Sequence, residues 1–332
     1  MEETLRLLQE AMLAHRQALA GIGAPRAEPA PAAAPDDQRG CVVRTLSRDI
    51  ERVCGFEISG IMEAKLGRVL ASVALPELEA WVGRLHHLPG DDQEWLSLIE
   101  SLTVHETFFH RDQSQLDLLR RRLLPEVIEA AACSGEYRLR LWSAGCATGE
   151  EAYTLAILVL LALRDAGFAQ ETADQGIVCR VPWQIDVLGS DISRVVLTRA
   201  EAATYPAQEL GAFRQLPVEL DRFFPPLPPS PDAPGVALRG VHAAVRRHVR
   251  FRRFNLMAEA PPERDFDIVL CRNVLIYLTV AARAKALAVV RQALRPGGFL
   301  MLGPTDALAD KTGYDARWAD GTVAYRLRPS RG

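Results

Sequence analysis

The sequence predicts an α/β protein. Its mostly parallel sheet finishes in an antiparallel hairpin, follows a small all-helical module and is interrupted by an inserted β element. Three observations carry this. From about residue 115 onward, apolar strand-like runs alternate with helix-like ones. From about 43 to 103, by contrast, the pattern is helical throughout. Near the C-terminus Asp320-Gly321 stands between two strand-like runs, a tight-hairpin signal.

Along the chain, residues 4–19 place Leu5, Leu8, Met12 and Leu19 near one helical face. The Ala/Pro-rich stretch 21–37 cannot pack and reads as a linker. Ser47 is an N-cap candidate for "LSRDIERVCGF", and three further helical segments follow, separated by Gly and Pro. "QLDLLRRRLLPEVIEAAA" is helical, and "YRLRLW" (137–142) is a strand running into a glycine-bearing turn. "EEAYTLAILVLLALRDAG" is a long apolar helix, "WQIDVLGSD" (183–191) a strand ending on an acid, and "SRVVLTRAEAATY" a helix. "FDIVLCRN" (266–273), the helix "TVAARAKALAVVRQAL" and "GGFLMLG" (297–303) complete the alternation. The Pro-rich stretch 223–235 and the basic run after it place an insertion with a small β element at about 210–255. The expected organisation is 1–40 as helix and linker, 41–112 as the helical domain and 113–330 as the catalytic domain.

The chain has 332 residues, is 48% hydrophobic and 24% charged, and carries a formal charge of −3. That profile can bury a core and argues against a dedicated nucleic-acid binder. No run is long and apolar enough to span a membrane, and the acidic start (Glu2, Glu3) is unlike a secretory signal. The six cysteines are scattered, without a C-x-x-C pair, and suit reduced thiols in a cytoplasmic protein.

The chemistry concentrates in "LWSAGCATGEEAYTLAI" (141–157). A glycine-bearing strand-to-helix turn suggests a phosphate first. However, Gly145-Cys-Ala-Thr-Gly149 lacks the middle glycine of the dinucleotide fingerprint and the Lys and Ser/Thr of a P-loop. Glu150 and Glu151 suit the positive end of the next helix but would repel a dianion. A cationic or zwitterionic ligand without phosphate fits better, and S-adenosylmethionine is one. Ligands of such sheets sit at the carboxyl ends of strands, where Asp191 and Arg272-Asn273 also lie. Asp191 suits ribose hydroxyls, although it comes 46 residues after Gly145, against about 20 in the compact fingerprint. Alone, it reads equally well as a helix N-cap.

Those segments, with "GSDIS", "FNL", "FDIVLCRNVLIYL", "LRPGGFLMLG" and "ETFFHRD" (106–112), resemble the chemotaxis receptor glutamate methyltransferases, the CheR family. The resemblance covers about 45 to 327 and implies a class I methyltransferase (Rossmann-like) sheet. It also implies S-adenosyl-L-methionine as cofactor and S-adenosyl-L-homocysteine as product. By that resemblance Glu151 and Asp191 bind the cofactor beside Gly145, and Asn255-Leu256 and Arg272-Asn273 line the adenosine pocket. Thr107 and Arg111 close over the cofactor, and Tyr277 points at the reaction centre; Arg111 and Tyr277 are the candidate catalytic residues. Tyr277 also reads as a core aromatic and Arg111 as a surface arginine. His105 stands where the family has Asn, touching one cofactor contact, and His110 replaces a Phe, which should alter packing alone.

The family substrate is a set of glutamates on the cytoplasmic helical bundle of chemoreceptors. Lys65 and Arg68 are candidates for meeting that acidic surface, or simply part of a solvated face. No metal is expected: in "HETFFH" the histidines are five apart, about 140° around a helix. For "VRRHVRFRRF" a solvated strand face is expected, ahead of contact with an acidic protein partner or a nucleic-acid patch. The expected protein is a cytoplasmic monomer that inserts in no membrane and binds no nucleic acid. Two rivals are a methyltransferase of the same fold acting on another carboxylate or small molecule, and a catalytically silent signalling adaptor. Some family members tether a receptor tail peptide on the inserted β element; its prolines here argue for recognition mainly through the methylation region and the helical module instead.

Overall fold

The structure, a computed structural model, describes residues 35–329 apart from 104, 173–175, 209, 229–234, 309 and 320. The expected helix at 4–19 lies outside the described residues. The chain forms two units: residues up to 104 together with Tyr277–Arg283, and His105–Ile276 with Ala284 onward.

The first unit is built from α1 (Pro35–Cys54), α2 (Gly60–Leu70), α3 (Leu75–His87) and α4 (Gln93–Leu102). Their apolar stripes bury Leu46, Ile50, Leu66, Leu78, Leu85, Trp95 and Leu98. Asp92 caps α4, its carboxylate accepting from Glu94 N at 2.9 Å. At the other end of α4, Lys65 Nζ donates to the carbonyls of Leu102 (3.2 Å) and Thr103 (2.9 Å). Burial lowers the Lys65 pKa, with Arg68 adding to the effect. Lys65 therefore caps a helix and does not present a free cation. Ser47 is not an N-cap: it lies inside α1, where its Oγ donates to Val43 O at 2.9 Å. Ser47 lies well inside the helix, which is described over Pro35–Cys54.

The second unit opens with α5 (Gln113–Leu118), which runs through a π turn (Leu119–Leu123) into α6 (Leu124–Ser134). Pro125 has no N–H for the carbonyl of Arg121, and the ladder widens just before it. Then come β1 (Arg138–Ala144), α7 (Glu150–Asp165), the hairpin β2 (Ala169–Thr172) and β3 (Gly176–Cys179), β4 (Gln184–Asp191) and α8 (Arg194–Ala202). Short strands β5 (Thr204–Pro206), β6 (Pro226–Leu227) and β7 (Leu238–Gly240) make a separate sheet in the order β5-β7-β6. After α9 (Ala243–Arg246) come β8 (Val249–Arg253), β9 (Phe266–Cys271), α10 (Val280–Ala293), β10 (Leu294–Leu302), β11 (Tyr314–Ala319) and β12 (Thr322–Leu327).

The main sheet has seven strands in the order β11-β12-β10-β9-β1-β4-β8. All neighbours are parallel except β12, which runs antiparallel to both β10 and β11. This is the class I methyltransferase arrangement that the resemblance implies. The central strand β9 is buried at every residue, as a strand covered on both faces must be. Helix α7 is buried from Ala152 to Leu163 and accounts for the long apolar run.

Two boundaries move. The expected insertion at 210–255 begins earlier, at Thr204, and does not include Val249–Arg253, which is the edge strand of the main sheet. Phe251 packs over Gly189 there, where a Cβ would come within 2.6 Å of the ring. Arg250 pairs with Asp186 (2.7 Å) and Glu263 (2.6 Å), so the basic run is an internally neutralised edge. Residues 105–112 group with the second unit rather than with the helical domain. Phe109, fully buried, is the reason: it packs among Tyr205, Phe213 and Phe224.

Candidate cofactor site

The carboxyl ends of β1, β4 and β9 are neighbours because these three strands are adjacent and parallel. The turn after β1 is held by its own backbone: Gly145 N and Cys146 N both donate to Ser190 O at the end of β4, at 2.7 and 2.9 Å. Gly145 (φ 83°) and Gly149 (φ 93°) are left-handed. A Cβ on Gly145 would lie 2.3 Å from Val274 Cγ2, and one on Gly149 2.8 Å from Ala200 Cβ. Both glycines are therefore required by space as well as by conformation.

Asp191 ends β4. Its Oδ2 accepts from Ala147 N and its Oδ1 from Ser193 N, both at 3.0 Å. It is not the N-cap of α8; Ser193 is, accepting from Val196 N. The carboxylate is thus fixed against the glycine turn. Phe254 N donates to Asp191 O at 2.9 Å, which brings Asn255 and Leu256 to the same strand end. Asn255 Oδ1 accepts from Met257 N at 2.9 Å and turns the chain there.

Glu151, in the first turn of α7, accepts from Ser143 Oγ (2.6 Å) and from Arg272 Nη1 (3.0 Å). Arg272 is a hub, with its side chain 2% exposed. Its Nε donates to Gln115 Oε1 at 2.7 Å, and its Nη2 donates to Arg111 O (2.7 Å) and Asp112 Oδ2 (2.8 Å). Gln115 passes the linkage on, donating to Leu302 O at the end of β10 at 2.7 Å. The guanidinium is spent within the protein, so Arg272 joins the 105–112 segment to Glu151. Asn273 is left-handed (φ 58°), as asparagine tolerates, and lies against Gly303 after β10.

The 105–112 segment is irregular, with His105, Thr107 and Arg111 half-buried. Arg111 Nη1 donates to Glu106 O at 2.7 Å. His110, 8% exposed and left-handed (φ 62°), donates its N–H to Thr154 Oγ1 at 3.3 Å. Burial lowers its pKa, against the pull of Asp117 and Glu219. Tyr277 falls in the helical unit, where its carbonyl accepts from Glu57 N at 2.9 Å and Leu278 pairs with Phe56. The structure therefore brings together Gly145, Glu151, Asp191, Asn255, Leu256, Arg272, Asn273 and Arg111.

Glu150 faces inward. It is 3% exposed, its Oε2 accepts from Thr148 Oγ1 at 2.7 Å, and burial pushes its carboxyl up to about 7. Ser143, Gln115 and Asp112 join the site without a motif that marks them as site residues. Ser143 and Asp112 stand inside motifs already read, but nothing in the sequence connects Gln115 to Arg272, 157 residues away.

Comparison with known proteins settles the lineage. The CheR methyltransferase SAM-binding domain matches residues 105–319. The chain belongs to this family. Similar proteins include chemotaxis protein methyltransferase 1 of Pseudomonas aeruginosa, 29% identical over 263 residues, 78% of this chain and 87% of that one. The chemotaxis protein methyltransferase of Vibrio anguillarum is 29% identical over 292 residues, 86% of this chain and 96% of that one. The protein is thus an S-adenosylmethionine-dependent methyltransferase. The donor set fits that cofactor: Asp191 is fixed against the glycine turn by Ala147 N, and Glu151, oriented by Ser143 and Arg272, heads the helix that follows it, so two placed carboxylates border the turn.

Proposed function

We propose that the protein transfers the methyl group of S-adenosylmethionine to glutamate side chains on the cytoplasmic helical bundle of chemoreceptors, giving glutamate methyl esters. The observation that carries this is the acid-lined turn, Glu151 and Asp191 fixed by their own hydrogen bonds, within a chain of the CheR family. Its relatives' names tie them to chemotaxis.

In this reading Asp191 accepts from the ribose hydroxyls and Glu151 meets the amino-acid tail. Gly145 gives the backbone close approach, and Asn255, Leu256 and Asn273 border the adenine. His105 and Thr107 cover the opposite side. When bound, the cofactor supplies an electrophilic methyl on a sulfonium. A glutamate with pKa about 4.3 is already ionised near neutrality, so the protein needs no general base. Its task is alignment and removal of water, and alignment alone is worth up to about 7–11 kcal/mol. Arg111, anchored at one corner by Glu106 O, closes over the cofactor with Thr107 and orients the incoming carboxylate, and Tyr277 orients the reacting centre. Arg272 acts through its partners, holding Glu151 and Arg111. The enzyme works as a cytoplasmic monomer.

The test is incubation with radiolabelled S-adenosylmethionine and receptor cytoplasmic fragments. Label on the fragment that mild base releases as methanol is expected, as an ester demands. Base-stable label, or label on small molecules only, would point to another acceptor; no transfer despite cofactor binding would point to an adaptor.

A further inference from the structure

We propose that the inserted β element braces the cofactor pocket, with Tyr205 and Arg214 as positioning residues for S-adenosylmethionine binding. The inference rests on the reading that residues 105–112 close over the cofactor.

The first contact is on the glycine turn. Tyr205, in β5 and 4% exposed, donates its hydroxyl to Thr148 O at 2.7 Å. Thr148 lies between Ala147, whose N–H goes to Asp191, and Gly149. Its hydroxyl is turned onto Glu150. A carbonyl of the turn is therefore held by the insertion. Burial, followed by the neighbouring Glu150, raises the Tyr205 pKa well above the ordinary phenol value, so it stays a neutral donor.

The second contact is on the closing segment. The Tyr205 ring meets Phe109 edge-on, centroids 4.9 Å apart, and Phe109 also packs on Phe213 (5.2 Å) and Phe224 (4.3 Å). Phe109 N donates to Ala212 O at 2.8 Å. Arg214 reaches Glu106 Oε1 at 2.7 Å, and its guanidinium carbon sits 3.9 Å from the Phe108 ring centroid. Glu106 is 68% exposed, so that ion pair alone is weak; the ring contact and the backbone bond carry more of the hold. Glu106 also accepts from Arg111 through its carbonyl. One inserted element thus touches both sides of the pocket, through residues that no cofactor contact explains.

The test is titration of the full chain with S-adenosylhomocysteine, with melting of the ligand-free protein as control. Tyr205→Phe keeps the ring and removes one hydrogen bond. Arg214→Ala removes the ring contact, and Arg214→Lys keeps the charge. An ordinary hydrogen bond corresponds to roughly a two- to tenfold change in an equilibrium constant. Tyr205→Phe and Arg214→Ala should each raise the Kd about three- to tenfold. Arg214→Lys should recover part of the loss, and kcat at saturating S-adenosylmethionine should stay within about twofold. If both variants fold and bind within twofold of the parent, the brace is refuted. Arg111→Ala is measured beside them. Unchanged affinity there sinks the placement of 105–112 on the cofactor. A loss there, with Tyr205→Phe and Arg214→Ala both neutral, sinks the brace alone.

Discussion

Asp191, at the end of β4, bonds the turn that Glu150 follows, and the two acids have opposite chemistry. Asp191 is held by two backbone N–H groups at 3.0 Å, which fix its carboxylate against the turn. Asp191→Ala should weaken S-adenosylhomocysteine binding by about ten- to a hundredfold in a calorimetric titration, since a hydrogen bond to a charged group is worth about 1.5–3 kcal/mol. It would also release Ala147 N, so part of the loss would come through the turn. Glu150 is a cost at high pH. Its folded pKa, about 7, is raised from 4.5 by burial, partly offset by Thr148. Below the unfolded value both states are protonated and nothing is lost. Between roughly 4.5 and 7 the unfolded chain ionises while the folded one keeps its proton, so stability falls as pH rises. Above that window the penalty is full, about 2–4 kcal/mol. Glu150→Gln keeps an acceptor for Thr148 and should therefore melt higher than the parent at pH 8 and alongside it at pH 4. A pH-independent difference between the two melting curves would remove Glu150 as the titrating group.

At the scale of elements, α7 meets α8 and β8 through Gly149. A Cβ there would lie 2.8 Å from Ala200 Cβ and 3.0 Å from Phe251 Cζ, at a φ of 93° that L residues rarely adopt. Tyr153, one turn on, bonds Ala200 O at 2.8 Å and sets that spacing. Gly149→Ala should cost about 1–3 kcal/mol in denaturant unfolding, from overpacking and backbone strain together. It should also weaken cofactor binding, because relief can come only by moving the turn. These elements were largely legible in the sequence. Apolar runs such as "FDIVLC" ended on polar residues, and strand ends in a parallel sheet are where ligands bind. The edge strand Val249–Arg253 was hidden, because its arginines look solvent-bound until Asp186 and Glu263 are brought beside them. Ser47 misled because a hydroxyl can bond backward to Val43 O inside a helix as readily as it caps one. The Gln115–Arg272–Glu151 linkage was invisible for a different reason: it exists only once three separate elements meet.

For the whole molecule, the question is how an enzyme with this insertion finds its receptor. A tail peptide added as a strand needs a sheet edge with free N–H and C=O groups. The small sheet has two edges, β5 and β6. β5 ends at Pro206, and β6 is only two residues long and starts at Pro226. Proline supplies no donor, and so short a strand leaves little for a peptide to pair with. Meanwhile the element is occupied in holding Thr148, Phe109 and Phe108. A tether would raise the local receptor concentration without changing the active site; nothing in this edge favours one. The expected outcome is that methylation of a receptor cytoplasmic fragment is reduced less than about twofold when its C-terminal tail is removed, with no binding of the free tail peptide in a titration. A loss of tenfold or more, with measurable peptide binding, would show that the proline-edged sheet accepts a strand after all. Such binding should then also tighten S-adenosylhomocysteine, since the same element braces the turn and linkage between two sites is reciprocal.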